Sequence, residues 1–197
     1  MSFDDRHDPH GDDGYLTGKL LIAMPTMRDP RFARAVIYLC AHNEEGAMGL
    51  VVNRLIGTLT FTDLMAQLNL SPPRTEPDKK IHFGGPVETS RGFVLHSAEY
   101  RQEETMMVDD GFGLTATIDI LRAIADGGGP SRSLLALGYA GWGPGQLDTE
   151  IQENGWLSVD ADDALVFDAG DLDHKWERAM AKIGVEPSML SGEAGRA

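Results

Sequence analysis

Apolar residues fall along this chain in two rhythms. Unbroken runs such as LLIAM (Leu20–Met24) and LLALGY (Leu134–Tyr139) read as buried strands, and apolar positions spaced three and four apart read as helix faces. RAVIYLCA (Arg34–Ala41) is rich in β-branched and aromatic residues and predicts a strand, although Asp29-Pro30 ahead of it could also open a helix. HNEEG (His42–Gly46) then turns the chain and AMGLVVNR (Ala47–Arg54) returns, so the two pair as a hairpin. KIHF (Lys80–Phe83) and RGFVLH (Arg91–His96) predict strands flanking the turn GGPVETS. TMMV (Thr105–Val108) predicts a further strand ended by Asp110-Gly111, and WLSV and ALVF around the turn DADD predict a second hairpin.

The helical spacing predicts four other segments. One spans about Phe61–Leu70, capped by Thr60 or Thr62, with Leu64, Met65 and Leu68 on one side. A second spans about Thr115–Asp126, with Leu114, Ile118, Leu121 and Ala125 in phase, Ile124 adjoining them and Gly127 as the stop. A third covers about Gln146–Asn154, with Leu147 and Ile151 one turn apart. A last helix capped by Asp171 carries Leu172, Trp176, Met180 and Ile183 on one face and ends at Gly184. SPPRTEPDKK (Ser71–Lys80) is a loop. Hairpin-like strand pairs with irregularly interspersed helices predict an α+β (mixed α/β) fold rather than regular βαβ alternation.

Composition changes this picture little. Hydrophobic residues are 42% of the 197, enough for one sizeable core, and 23 glycines imply many tight turns between short strands. Residues 1–14, with five aspartates against one arginine, read as a disordered acidic leader before a single domain over 15–197. The net charge of −14 opposes long-range attraction to phosphate backbones, so direct nucleic-acid binding is disfavoured. The single cysteine allows no internal disulfide, and no apolar run approaches a membrane span or a signal-peptide core; a cytoplasmic protein is the expectation.

The candidate chemistry is sparse. In GYAGWGPGQLDTEIQENGW (Gly138–Trp156) a buried strand runs through a glycine loop into a helix start, whose free N–H groups could receive an anion. No phosphate-loop pattern accompanies it, and Asp148 and Glu150 place negative charge in the first turns. The alternative is that the glycines let the chain turn beside Trp142 while Trp156 packs in the core. GGPV (Gly84–Val87) reads either as a plain turn or as a second backbone wall of the same cleft. Cys40 and His42 would share one strand face and form the best nucleophile pair available, against the commoner reading of a core cysteine. His96 is either a satisfied buried histidine or a cleft residue. The cluster Arg28, Arg31 and Arg34 could receive an acidic partner or a phosphate. Neither HExxH, a zinc ladder nor G-x-S-x-G is present, so no metal, cofactor or catalytic set is expected.

Three stretches taken in order, LLIAMPTMRDPRFARAVIYLCAHNEEGAMGLVVNR, FGGPVETSRGFVLH and LALGYAGWGPGQLDTEIQENGWL, resemble the YqgE/AlgH family of bacterial proteins over about Tyr15–Ala197. The resemblance implies a compact mixed α/β domain with curved sheets. It carries a label, on some members, of a transcriptional regulator of exopolysaccharide production, and no established catalytic residues. The family's signature positions fall here on Asn53, Gly84, Gly85, Pro86, His96, Gly141, Trp142, Gln146 and Trp156, while the ending AGRA departs from the family's A-G-H-A. The expectation is a binding or regulatory domain whose cleft, between the FGGPV turn and the GWGPGQL loop, holds a small ligand or a protein partner. Asn53, Gly84, Gly85, Pro86, His96, Gly141, Trp142, Gly143 and Gln146 are its candidate binding residues. The alternatives are a transcriptional regulator acting through a protein partner and an enzyme using Cys40 with His42, or His96.

Overall fold

The computed structural model describes residues 14–189. The acidic leader, apart from its last residue, and the AGRA ending lie outside the described residues.

The backbone is organised around one long strand. β1 (Lys19–Ala23), β2 (Val36–Asn43) and β3 (Gly46–Val51) form an antiparallel meander. β9 (Ser133–Trp142) joins β3 through its last residues, Ala140 to Trp142. Its first half pairs antiparallel with β6 (Val87–Ser97) on one side and parallel with β5 (Lys80–Phe83) on the other. β8 (Phe112–Thr115) and β7 (Met106–Met107) continue outward from β6, β4 (Leu55–Thr60) borders β5, and β10 (Trp156–Asp160) returns to pair with β1. The result is a curled ten-stranded sheet.

The period-two alternation of the meander serves two cores, because both of its faces are covered. Leu20, Ile22, Val36, Tyr38 and Leu50 point to one side, roofed by Val166 of α4 (Asp163–Phe167) and by Trp176, Ala179 and Met180 of α5 (Lys175–Lys182). Leu21, Ala23, Ile37, Leu39 and Val51 point to the other, where Trp142, Trp156 and Leu147 of α3 (Gln146–Gln152) close over them. A third cluster sits under α1 (Phe61–Gln67) and α2 (Ile118–Asp126), against Ile81, Val94 and Leu135 of the sheet. Burying side chains such as Ile120 and Ile124 contributes about 1.5–3 kcal/mol each.

Several expectations are corrected. α2 begins at Ile118, and Leu114 belongs to β8; the face that α2 buries is Ile120, Ile124 and Ala125, leaving Ile118 45% exposed. ALVF forms no hairpin with WLSV, because Asp162 accepts the N–H of Leu165 and caps it into α4. KIHF and RGFVLH are separated by β9 rather than joined as neighbours, and the segment VETS is strand, not turn. LIGTLT (β4) and FGLT (β8) are strands that the sequence reading did not include.

The candidate cleft and a buried histidine

The two glycine segments do meet, in a closed backbone crossing. Gly84 donates its N–H to the carbonyl of Leu137 (2.9 Å) and accepts the N–H of Val51 (2.8 Å), so it stitches β9 to β3. A Cβ on Gly84 would run into the carbonyl oxygen of Gly138, one on Gly85 into the peptide of Tyr139, and one on Gly138 into the carbonyl of Gly85. Gly138 also has φ +75°, a conformation that side chains rarely adopt. These glycines are occupied by each other's backbone.

The GWGPG segment is likewise filled from within. Gly141 and Trp142 are strand residues opposite Met48 and Ala47. The Trp142 indole lies edge-on to Trp156 at 5.9 Å, and Trp156 donates its ring N–H to Glu150. The N–H of Gly143 is taken by Oε1 of Gln146 (2.9 Å), whose amide nitrogen donates onward to Glu150. The glycine loop ahead of α3 is thus tied down by the helix's own first glutamine, while the helix start itself, at Gly145, has no side-chain cap.

The other candidates lie apart. Asn53 accepts the N–H of Val36 and donates to the carbonyl of Arg34, which pins the start of β2. His96 is fully buried: one ring nitrogen meets the carbonyl of Ser97 (2.9 Å) and the other the Thr115 hydroxyl (2.8 Å), which in turn meets Thr105. Burial holds its pKa below the usual histidine value, partly offset by the Ser97 carbonyl. His96 pairs with Ser133 in the register and Trp142 ends the same strand, a chain span of about 30 Å. The two do not share a pocket.

Cys40 and His42 end on different faces, which corrects the shared-face expectation. A bulge between Leu39 and Ala41 shifts the alternation of β2, leaving Cys40 in the α4–α5 core with its thiol pushed up to about 12 by burial. His42 turns toward α3. Its Nδ1 accepts the N–H of Leu16 (3.0 Å), so the proton resides on Nε2, 3.5 Å from a carboxylate oxygen of Asp148. Of the arginine cluster, Arg31 is bound by Asp29, and Arg34 lies over the Trp176 ring and against Glu177.

What is open is a neighbouring depression of about 610 Å³. Val87, Gly141 and Trp142 border it, and its walls are Met48, Phe93, Met106, Leu114 and Tyr139. It is the end of the first core that α4 and α5 leave unroofed, since Met48 and Tyr139 pack against that core from its margin. Arg91 stacks over Phe93 at 5.1 Å, Tyr139 meets the same ring edge-on at 5.8 Å, and Met106 is 43% exposed. The sequence reading singled out none of these five residues Met48, Arg91, Phe93, Met106 and Tyr139. The spacing of Arg91 and Phe93 at i and i+2 on one strand face was the available signal.

Two further buried polar groups lie outside the predicted candidate set. His82 is 4% exposed, and neither of its ring nitrogens has a well-formed hydrogen bond. Burial, with Lys175 and Lys79 nearby, pushes its pKa down to about 3. Lys175, fully buried, donates to the carbonyls of Val52 (3.1 Å) and Val166 (3.2 Å), and burial lowers it to about 8. A histidine between Ile81 and Phe83 in an apolar strand was the sequence mark of the first. Among the described residues no group of three or more metal-ligating side chains is assembled, and no helix is long and apolar enough to cross a membrane.

The comparisons with known proteins agree with this architecture. A UPF0301 protein of Rhodopseudomonas palustris (strain HaA2) is 58% identical over 191 residues, covering 93% of this chain and 87% of its own length. A UPF0301 protein of Rhodospirillum rubrum is 55% identical, with 94% and 96% covered. The solution structure of the AlgH protein from Pseudomonas aeruginosa superposes with a TM-score of 0.77 at 43% identity, covering 95% of this chain and 98% of that one. A crystal structure of a Corynebacterium diphtheriae protein shares the fold alone, at TM-score 0.68 and 23% identity. The family model described as AlgH-like matches residues 20–188, and the chain belongs to that family.

Proposed function

We propose that this chain is a non-catalytic recognition domain, and that the depression beside Tyr139 receives an apolar segment of a protein partner. The observation that carries this reading is the unroofed end of the first core, where Met48, Met106, Phe93 and Tyr139 surround a cavity with Arg91 at its edge. Methionines adapt to varied apolar shapes, and aromatic residues, methionine and arginine are the types enriched at interfaces. A regulator working through a protein partner would use the same surface, since the net charge of −14 opposes direct contact with DNA. The buried, unpaired Cys40 suits a reducing, cytoplasmic setting.

Site-specific photocrosslinking in cells tests it. A crosslinker at position 106 should give a discrete adduct that Met48→Asp and Arg91→Glu remove, while one at position 189, an exposed control site, gives none. Adducts of equal yield from both positions, or an adduct indifferent to both substitutions, would overturn the reading.

A further inference from the structure

At the other end of β9, beneath α4, lies a second cavity of about 490 Å³, distinct from the depression above and independent of the function proposed for it. His82 lines it, together with Lys79, Lys80, Ser133 and Phe167. A buried imidazole with no well-formed hydrogen bond is costly, by about 1–3 kcal/mol per orphaned group, and calls for a reason. The protein does not relieve it from within. The backbone of Leu135 offers only weak support, and Lys175 has directed donors to two carbonyls and is itself a donor without an acceptor to offer. Taking up a proton is no remedy either, because burial disfavours the charged ring and Lys175 and Lys79 add to its cost. The wall itself carries two lysines, Lys79 and Lys80, against two carboxylates, Glu76 and Asp78.

The partner of Lys79 is the exposed carboxylate of Glu76, at a loose 3.5 Å. Glu76 sits on a turn with φ +48°, held in place where Pro77 and Lys79 accept the first N–H groups of α1. Asp78, also on the wall, forms no ion pair among the described residues. We propose that this cavity binds a small oxyanion, carboxylate or phosphate, which takes the place of Glu76 on Lys79 and accepts the ring N–H of His82. The ring nitrogens lie below the surface, so the cavity wall around His82 has to shift for the anion to reach them. The neutral imidazole supplies one directed N–H, Lys79 the charge, and Phe167 with Leu134 an apolar wall that strengthens both by excluding water.

The test follows the His82 ring by nitrogen-15 NMR of the full chain during separate titrations with oxalate and with inorganic phosphate. Saturable movement of the His82 resonances, with those of His96 unmoved, is expected for at least one probe, and the tighter of the two identifies the class. Lys79→Ala should weaken that affinity about tenfold, and Glu76→Gln, which removes the competing carboxylate, should tighten it about threefold. Still His82 resonances with both probes up to about 20 mM would overturn the proposal. So would a Glu76→Gln variant that binds no better than the parent chain.

Discussion

Lys175 shows how one residue can couple this fold to pH. It is fully buried, its ammonium is satisfied only by backbone carbonyls, and burial has lowered its pKa to about 8 from 10.5. A lysine whose folded pKa is depressed binds its proton less well in the native state than in the unfolded chain. Between pH 8 and 10.5 the unfolded state therefore holds more protons, and this group makes stability rise with pH through that window. Below pH 8 its penalty is constant. The full rise is about 3 kcal/mol at most. Urea denaturation across that range should show it in the parent chain and not in Lys175→Met, which keeps the length of the side chain without the charge. Parallel curves would place the titration elsewhere.

At the scale of single elements, α1 is the best local match between sequence and structure. Thr60 accepts the N–H of Asp63 (3.2 Å), and the Asp63 carboxylate returns to the N–H of Thr60 (3.0 Å), a reciprocal cap that seats Phe61, Leu64 and Met65 on the third core. Thr60→Ala should lower stability by about 1 kcal/mol in equilibrium unfolding, with no change in the denaturant slope. This helix was legible because cap and periodicity agreed, except at its end, where Leu68 is the C-cap and lies exposed rather than on the packed side. So were β1, the β2–β3 hairpin and the buried face of the final helix, whose apolar sets are unambiguous in phase, although that helix begins at Lys175 after His174, and Asp171 bonds the His174 ring instead of capping it. ALVF was not, since an apolar run of four fits strand or helix equally and only the Asp162 cap decides. FGLT was lost because Leu114 falls in phase with the helix that follows it. The candidate cleft fared differently again: the glycine segments were visible, but a glycine that admits a ligand and one that admits another backbone read alike. Partner and path of the chain distinguish them, and neither is local.

At the scale of the whole molecule, β9 is the member that both halves of the sheet share. Its Leu134–Leu137 stretch lies between β5 and β6, and its Ala140–Trp142 stretch extends β3. Native-state hydrogen exchange should place the slowest amides here, opening only with global unfolding, whereas the amides of β7 exchange through local fraying at the sheet edge. Protection that was higher in the β1–β2 meander than in β9 would indicate two separately opening units instead.

The crossing of Gly84 and Gly85 over Gly138 has a consequence for how the chain is made. A nascent polypeptide emerges from its amino end, and everything up to residue 132 must wait on the ribosome without the rail that fastens the meander to the β6–β8 half. During that interval β3 and β6 each present bare hydrogen-bonding edges to the cell. The bottleneck in biogenesis is then the arrival of one ten-residue stretch, and agents that shield open edges until it arrives should matter more to this fold than any that speed the formation of its helices.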